Sequence, residues 1–352
     1  MKEELISFND VLIKPQYSNV SSRSDVDLST SLNPWLKLGI PLIAANMDTV
    51  CELKMAQSMA QLGGMGVLHR NLTKNQRIDA LADMGELNFG NQSVDQTDLY
   101  RRFVTSAVAV GVHEVDKNFL GRCISSNVDA IVVDVAHGDS LQTYNAIIEI
   151  KCFLERNSDH VCLIGGNVAT GEAVERMVNA GVDCVKVGIG PGAACLTRVN
   201  TGVGIPQLSA IMECAARADF LGVSCIADGG IKTPGDVAKA IAAGADAVML
   251  GGMLAGTDEA PGEIYTDGYG HRVKAYRGMA SSGAGSAYVE GAEGHVEYKG
   301  PVSDIVTSIE HGLRSAMSYS GAFNISEFHA KSEFVRVSPA SLGENGAHGT
   351  LL

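Results

Sequence analysis

A glycine-rich loop around one cysteine is the part of this sequence with the clearest capacity for chemistry. It runs from Gly188 to Arg198, reads Gly-Ile-Gly-Pro-Gly-Ala-Ala-Cys-Leu-Thr-Arg, and follows a short apolar run that ends at Val187. Glycine and proline fix an unusual backbone path, and a thiol held on such a loop is a nucleophile when its surroundings favour the thiolate. Cys195 is therefore a candidate nucleophile, and the hydroxyl of Thr197 is placed to polarise a leaving group or a water.

A purely structural interpretation of the same loop is also open. Free cysteine is commonly a buried apolar residue, and glycines also make tight turns. Which interpretation holds depends on the residues that the fold brings to this loop.

Short apolar runs alternate with amphipathic stretches along most of the chain. Residues 171–180 and 234–243 carry apolar side chains at spacings of three and four, which is typical of helices that pack on one face. Apolar strands that alternate with such helices indicate parallel strands covered by helices. The eight candidate strands are 40–46, 65–69, 105–110, 130–134, 161–165, 184–188, 223–227 and 247–250.

Eight such units predict an α/β fold, a single (β/α)₈ TIM barrel in which residues 1–352 form one catalytic domain. A doubly wound open sheet is the alternative, although its Gly-x-Gly-x-x-Gly fingerprint followed by a distant acid is not evident. In a barrel, the loops that follow the strands share one face, so distant residues would converge on Cys195.

Composition argues against several classes of function. The chain has 352 residues, 45% of them hydrophobic, and a formal net charge of −13, whereas nucleic-acid binding needs a basic face. No apolar run reaches the roughly 18 to 20 residues that span a bilayer, and no basic segment precedes an apolar one at the start, so we expect a cytoplasmic location and no membrane partner. The eight cysteines are scattered without metal spacing, which disfavours disulfides and structural zinc.

Paired glycines follow the last two candidate strands. Asp228-Gly229-Gly230 and Gly251-Gly252 lie where barrels often bind phosphate through backbone amides. Asp228 would then accept hydrogen bonds from ribose hydroxyls. Simple turns, with an Asx turn at the aspartate, are the alternative.

The cysteine loop, together with Met47-Asp-Thr-Val50, Ala227-Asp-Gly-Gly230, Met253-Leu-Ala-Gly256 and Tyr276-Arg-Gly-Met279, resembles the IMP dehydrogenase/GMP reductase family from about residue 8 to about residue 337. The resemblance implies that Cys195 attacks carbon 2 of a purine nucleotide monophosphate and forms a covalent thioimidate. A nicotinamide cofactor would exchange hydride at the same carbon. Thr197 would assist the leaving group or water, and Glu293 matches the acid that contacts the base and relays protons.

The resemblance also implies binding residues. Those for the substrate are Met47, Asp228, Gly230, Gly251, Gly252, Tyr276, Gly278 and Met279. Those for the cofactor are Asp134, Ala136, His137 and Gly138, with Arg70 as the candidate near the adenosine ribose. Carbonyls of Gly190, Gly192 and Cys195 are candidate ligands for a monovalent cation such as K⁺, which residues 344–346 of a neighbouring subunit would complete. Members of the family are tetramers or octamers, so we expect a homotetramer.

Two features favour the reductase branch of this family. Dehydrogenases hydrolyse the covalent intermediate with the help of a long flap that bears an Arg-Tyr pair, whereas residues 280–292 form only a short flap-like loop without that pair. Residues 70–104 are also too few for the regulatory CBS domains that dehydrogenases usually carry there. Stretches 22–28, 44–50 and 206–214 look like a reductase, and a C-terminal extension follows the barrel. The resemblance therefore implies a GMP reductase that uses NADPH and releases ammonia.

Other features keep alternatives open. Stretches 255–263, 275–279 and 334–337 look like an IMP dehydrogenase that uses NAD, and Ala193 stands after Gly192 where the family usually has a serine. Reductases also place an arginine just before the catalytic acid, and this chain has no arginine there. A modified purine nucleotide is therefore another candidate substrate. An inactive nucleotide-binding paralogue is disfavoured by the intact Cys195, Thr197 and Glu293. An aldolase would need a strand-end lysine, and for Lys186 the sequence does not say whether it points inward.

Overall fold

The computed structural model describes residues 4–85, 105–158, 160–284, 289–338 and 340–341. Three short strands precede the barrel: β1 (Val11–Ile13), β2 (Thr30–Ser31) and β3 (Lys37–Leu38). Strands β2 and β3 form an antiparallel hairpin, and β1 pairs antiparallel with β15 (Phe334–Arg336). The pairing of β1 with β15 ties the N-terminal segment to the segment that follows the barrel.

Eight parallel strands close into a barrel in which each strand pairs with the next one along the chain. The last strand pairs with the first through Val248–Leu250 and Leu42–Ala44, which completes the closure. The predicted (β/α)₈ barrel is confirmed. Its strands are β4 (Leu42–Ala44), β5 (Met65–Leu68), β6 (Ser106–Val110), β7 (Ala130–Asp134), β8 (Cys162–Val168), β9 (Cys184–Val187), β10 (Ser224–Asp228) and β11 (Ala247–Leu250).

Helices alternate with the barrel strands, and their apolar faces pack against the sheet. The helix α5 begins where the Thr170 hydroxyl accepts a hydrogen bond from the Ala173 amide and ends at Gly181, whose φ is 109°. Within the described residues, no helix combines the length and the apolar character needed to cross a bilayer. The helices are α1 (Leu53–Gln61), α2 (Lys74–Gly85), α3 (Lys117–Ser125), α4 (Leu141–Asn157), α5 (Gly171–Ala180), α6 (Thr197–Thr201), α7 (Gln207–Leu221), α8 (Pro234–Ala242), α9 (Val302–Tyr319) and α10 (Ile325–Lys331).

The apolar core has an inner and an outer layer because successive strand residues point to opposite faces. Ile43, Ile164 and Ile226 belong to the inner layer, whereas the alternate strand residues pack with the helices. The β2–β3 hairpin adds Leu32 and Leu38 to the inner layer. It closes the barrel at the amino ends of the strands, so the opposite end is left for a site.

A three-stranded antiparallel sheet follows the barrel: β12 (Tyr265–Thr266), β13 (Arg272–Arg277) and β14 (Glu293–Glu297). The Arg277 guanidinium is paired with Asp48, with Nη2 2.8 Å from Oδ2. Thr49 Oγ1 also accepts a hydrogen bond from the Arg277 amide at 3.2 Å. These contacts hold the end of β13 against the loop after β4, at the carboxyl end of the barrel.

Candidate active site

A cavity of about 220 Å³ lies at the carboxyl end of the barrel. The loops after β4, β9, β10 and β11 form it together with the segment after β13. All eight residues predicted to bind the substrate line this cavity, and Cys195 and Thr197 lie in its wall: Met47, Asp228, Gly230, Gly251, Gly252, Tyr276, Gly278 and Met279. The fold therefore brings the glycine pairs to the cysteine loop, as the sequence predicts.

The cysteine loop is fixed at its base. Gln207 Nε2 donates hydrogen bonds of 3.0 Å to the carbonyls of both Val187 and Asp228, which join the ends of β9 and β10. Gly188 has a φ of 148° and packs so closely on β10 that a Cβ there would overlap the Asp228 carbonyl oxygen. Only glycine fits this approach without a backbone shift.

We expect Gly188→Ala to destabilise the protein by roughly 1 to 3 kcal/mol, because the added carbon forces a backbone shift between two strands. It should also weaken nucleotide binding, since the shift moves Asp228. Gly202→Ala is the matched control: Gly202 also has a positive φ, of 72°, but nothing lies within 4 Å of its Cβ position. Thermal unfolding of both variants checks the expectation, and equal losses would show that strain in φ, not the close approach, is what matters.

The other side of the loop is held by the segment around Gly291. The Leu196 amide donates to the Glu290 carbonyl at 2.6 Å, and the Ala292 amide donates to the Ala194 carbonyl at 2.8 Å. Cys195 and Gly291 form an isolated antiparallel bridge between these hydrogen bonds. The thiol therefore lies between two backbone segments that are fixed to each other.

A hydrogen-bonded chain links the thiol to a carboxylate. The Cys195 Sγ donates to Thr197 Oγ1 at 3.2 Å, and Thr197 Oγ1 donates to Glu290 Oε2 at 2.6 Å. All three side chains are half-buried and line the cavity. This arrangement can pass a proton between sulfur and carboxylate through the hydroxyl.

The structure places Glu293 elsewhere, so the predicted contact between Glu293 and Thr197 is corrected. Glu293 begins β14 opposite Arg277 and is exposed, and its Oε1 accepts a hydrogen bond of 2.8 Å from the Ser282 hydroxyl. The Gly283 amide and this hydroxyl lower the pKa of Glu293 below its usual value. Glu290 takes the position that the sequence assigned to Glu293, because the bridge at Gly291 directs the preceding side chain to Thr197.

A buried charge cluster lies below the cysteine loop. The ammonium of Lys186 is 2.8 Å from Asp134 Oδ1 and 2.6 Å from Asp228 Oδ2, and the Lys186 side chain is 2% exposed. Burial opposes the charge on Lys186, but the two carboxylates outweigh it and raise the pKa of the lysine above its usual value. Lys186 thus points inward as a structural cation, which argues against a neutral amine of the aldolase type.

Two asparagines complete the cluster. Asn46 Nδ2 donates to Asp134 at 2.8 Å, and Asn167 Nδ2 donates to Asp228 at 2.9 Å. Asn167 was not among the predicted site residues, because the glycines before it look like the end of a strand. Alternation along β9 is the signal that could have placed Lys186, since Cys184 is in the inner layer and Val185 is in the outer one.

The glycine pairs shape the far end of the cavity. The Tyr276 hydroxyl lies 3.4 Å from the position of a Cβ on Gly251 and 3.5 Å from that on Gly252. Burial, with a smaller contribution from Asp228, raises the pKa of Tyr276 to about 12, so its hydroxyl stays a neutral donor. Gly230 faces the same space with a φ of 78°. Exposed amides and a hydroxyl at one end suit a phosphate group.

A second cavity of about 210 Å³ adjoins the first and shares Cys195 with it. Three of the residues predicted to bind the cofactor, Arg70, Asp134 and Ala136, line it. His137 is exposed and Gly138 is buried, and neither lines the two cavities. A guanidinium and a carboxylate beside the thiol are a donor and acceptor set that fits the phosphate and ribose groups of a dinucleotide.

The predicted cation ligands are only partly described. Gly190 and Gly192 line the second cavity together with Cys195, and the Gly192 carbonyl accepts a hydrogen bond from the Cys195 amide at 3.0 Å. Residues 344–346 lie outside the described residues. In the part of the chain that the structure describes, no group of three histidine, cysteine or acidic side chains is arranged for a metal. A monovalent cation stays a prediction.

Comparisons with known proteins agree with this geometry. Residues 5–348 match the family described as IMP dehydrogenase / GMP reductase domain. The chain is 38% identical to inosine-5'-monophosphate dehydrogenase of Cryptosporidium parvum, over 97% of this chain and 94% of the relative. It is 33% identical to GMP reductase of Leishmania donovani, over 98% and 97%. A crystal structure of a GMP reductase from Trypanosoma brucei in complex with guanosine 5'-monophosphate has a TM-score of 0.90 and 34% identity, and the match covers 99% of this chain and 98% of that one.

Proposed function

We propose a specific activity for this chain, which belongs to the IMP dehydrogenase/GMP reductase family: it is a GMP reductase that converts GMP to IMP and ammonia with NADPH. The observation that carries the choice is that only nine residues separate Ala280 from Glu290 in the sequence. The Ala280 carbonyl accepts hydrogen bonds from the amides of both Glu290 and Gly291, at 2.9 and 3.0 Å, which holds the two ends of this short stretch next to each other. A long flap that activates water has little room there.

We propose that the first cavity binds the nucleotide. Its phosphate would lie against the amides of Gly230, Gly251 and Gly252 and the Tyr276 hydroxyl, and its ribose would donate to Asp228. The backbone of Gly278 and Met279 would contact the base. This orientation would put carbon 2 of the purine near Cys195, because the thiol lines the same cavity as the groups proposed to hold the phosphate, the ribose and the base.

The proposed chemistry uses the chain from Cys195 through Thr197 to Glu290. Glu290 takes the thiol proton through the Thr197 hydroxyl, and the thiolate bonds to carbon 2. The carbon–nitrogen bond to the 2-amino group then breaks, and the relay returns a proton so that ammonia leaves. A nicotinamide cofactor, held by the residues of the second cavity, would supply hydride to carbon 2. The sulfur–carbon bond then breaks, which releases IMP and restores the thiolate. No step consumes water.

The residues near the second cavity are proposed to hold that cofactor. Asp134 and Ala136 would contact the nicotinamide riboside, and Arg70 would lie near the adenosine ribose, where its charge favours the extra phosphate of NADPH. His137 and Gly138 would contribute by fixing the conformation of the loop after β7, which carries Ala136. The Gly138 amide donates to the Asn167 carbonyl at 2.7 Å and holds this loop against β8. We further propose that residues 1–352 form a single catalytic domain that assembles as a homotetramer.

An IMP dehydrogenase is the second candidate, and relatives of that name at similar identity favour it. The same relay would then take a proton from water after hydride has left the nucleotide. The two reactions differ in direction, so one pair of assays separates them. GMP with NADPH should lower the absorbance at 340 nm and release ammonia, whereas IMP with NAD and K⁺ should leave it unchanged. A rise in the second mixture, with XMP formed, would identify a dehydrogenase and refute the reductase.

A further inference from the structure

The buried cluster around Lys186 lies in the wall that the two cavities share. Lys186, Asp134 and Asp228 line both cavities, whereas Tyr276 lines only the first and Arg70 only the second. The ammonium contacts one oxygen of each carboxylate, at 2.8 and 2.6 Å. One cation therefore fixes an acidic group for each side of the site.

The fold makes room for this lysine. Gly166 of β8 is paired with Lys186 of β9, and a Cβ on Gly166 would come within 2.6 Å of the Lys186 carbonyl oxygen and 2.8 Å of its Cβ. Asn46 donates to the Asp134 oxygen that the ammonium does not contact, whereas Asn167 donates to the same Asp228 oxygen as the ammonium, and neither amide supplies charge. The cluster has two carboxylates and one ammonium, so it becomes doubly negative without the lysine.

The other titratable groups that line the cavities are Arg70, Tyr276, Cys195 and Glu290. The charge of Arg70 acts on Asp134, but this side chain is exposed. Tyr276 faces Asp228 as a neutral hydroxyl. Cys195 and Glu290 add no positive charge. Among the described residues that line the two cavities, Lys186 is therefore the one buried positive charge that can balance the two carboxylates.

We propose that Lys186 is a positioning residue that holds Asp134 and Asp228 together as ionised carboxylates. Through this one ammonium, the carboxylate proposed to contact the nucleotide and the carboxylate proposed to contact the cofactor keep their charge and their position. This inference rests on the proposed function only in taking a purine nucleotide as the occupant of the cavity beside Asp228. The arrangement of the cluster itself does not depend on which reaction follows.

The physical reason is repulsion between like charges. Without the ammonium, two half-buried carboxylates lie close together with no cation between them, and their repulsion raises the pKa of the pair above the usual range. The folded state then binds more protons than the unfolded state. Its stability is present at low pH and is lost as the pH rises through the raised pKa of the pair. Nucleotide affinity should follow the same course, because the repelled Asp228 turns away from the ribose.

The test compares three variants of the full chain with the wild type. Lys186→Met removes the charge at similar volume, Lys186→Arg keeps it, and Lys186→Met/Asp134→Asn removes the charge together with one carboxylate. Thermal unfolding without ligand is measured from pH 5 to pH 8, and the affinities for GMP and IMP are measured by calorimetry at pH 6 and pH 8. The wild type in parallel corrects for ionisation of the nucleotide phosphate.

We expect the melting temperature of Lys186→Met to fall with rising pH more steeply than that of the wild type. Its nucleotide affinity should drop by roughly tenfold more than that of the wild type between the two pH values. Lys186→Arg and the double variant should have nearly the pH dependence of the wild type. Rescue by removal of a carboxylate is the outcome that a merely structural lysine would not produce.

Other results overturn the proposal. One is a Lys186→Met variant whose melting temperature and nucleotide affinity depend on pH as those of the wild type do. The other is a double variant whose pH dependence is as steep as that of Lys186→Met. If Lys186→Met does not fold, folding of the double variant supports the proposal and failure of both refutes it. If the wild type binds neither nucleotide, the proposed function fails, while the unfolding curves still decide the role of Lys186.

Discussion

Replacement of Cys195 by alanine should abolish turnover, with a loss of roughly 10⁴-fold or more, because no other group on the loop can form the covalent bond to carbon 2. Nucleotide affinity should stay within about tenfold of the wild type, since the thiol contributes to the reaction far more than to binding of the ground state. The measurements are the rate of absorbance change at 340 nm and the dissociation constant of GMP.

Cys152→Ala provides the matched control for Cys195→Ala. Cys152 is also a free cysteine, but it is exposed on α4 and lines neither cavity. Its replacement should leave turnover within about twofold, as is usual for a surface change. A Cys195→Ala variant that keeps a tenth of the activity would rule out covalent catalysis. Lost GMP binding in that variant would instead show that the thiol shapes the cavity.

The second large effect concerns two glutamates that lie three residues apart. Glu290→Gln should slow deamination by about 10²- to 10⁴-fold, because the amide can still accept the hydrogen bond of Thr197 but can no longer take a proton. Hydride transfer should slow much less, since that step needs no proton from the relay. Single-turnover release of ammonia measures the first step, and reverse hydride transfer from IMP measures the second, in alkaline buffer where hydroxide and not Glu290 removes the thiol proton.

Glu293→Gln is the internal control for this relay. Glu293 points to Ser282 and Gly283 and away from Thr197, so its replacement should change either rate by no more than about twofold. A large loss in Glu293→Gln together with a small one in Glu290→Gln would reverse the assignment that the hydrogen bonds support. Equal slowing of both steps in Glu290→Gln would argue against a proton relay.

The fold could be predicted from the sequence because strand and helix periods are strong local signals. Seven of the eight predicted strands differ from the observed ones by two residues or fewer at either end. Strand β8 is the exception: it runs to Val168, whereas the sequence predicts an end at residue 165. Gly165 and Gly166 look like the start of a loop, but they lie within the strand because Val182 and Lys186 pack closely against them. The end of β8 is thus set by packing between strands and could not be predicted from local composition.

The error at Glu293 and the open orientation of Lys186 have the same kind of cause. Glu290 and Glu293 are each followed by glycine, and nothing in the local sequence says which one faces the cavity. The choice is made by the distant bridge between Cys195 and Gly291. The orientation of Lys186 likewise depends on the pairing of β9 with β8 and β10. Motifs identified the loops, whereas long-range pairing set the direction of individual side chains.

The pairing of β4 with β11 has a consequence for how the chain assembles. This ladder joins the first barrel strand to the last, so its formation carries the largest loop-closure cost among the barrel pairs and should come late in folding. Met47 follows β4 and Gly251 follows β11, and the Met47 sulfur lies 3.1 Å from the position of a Cβ on Gly251. A nucleotide bound there would contact both the segment after the first barrel strand and the segment after the last one. Bound substrate would then slow unfolding by opposing the separation of β4 from β11, the strand pair expected to form last.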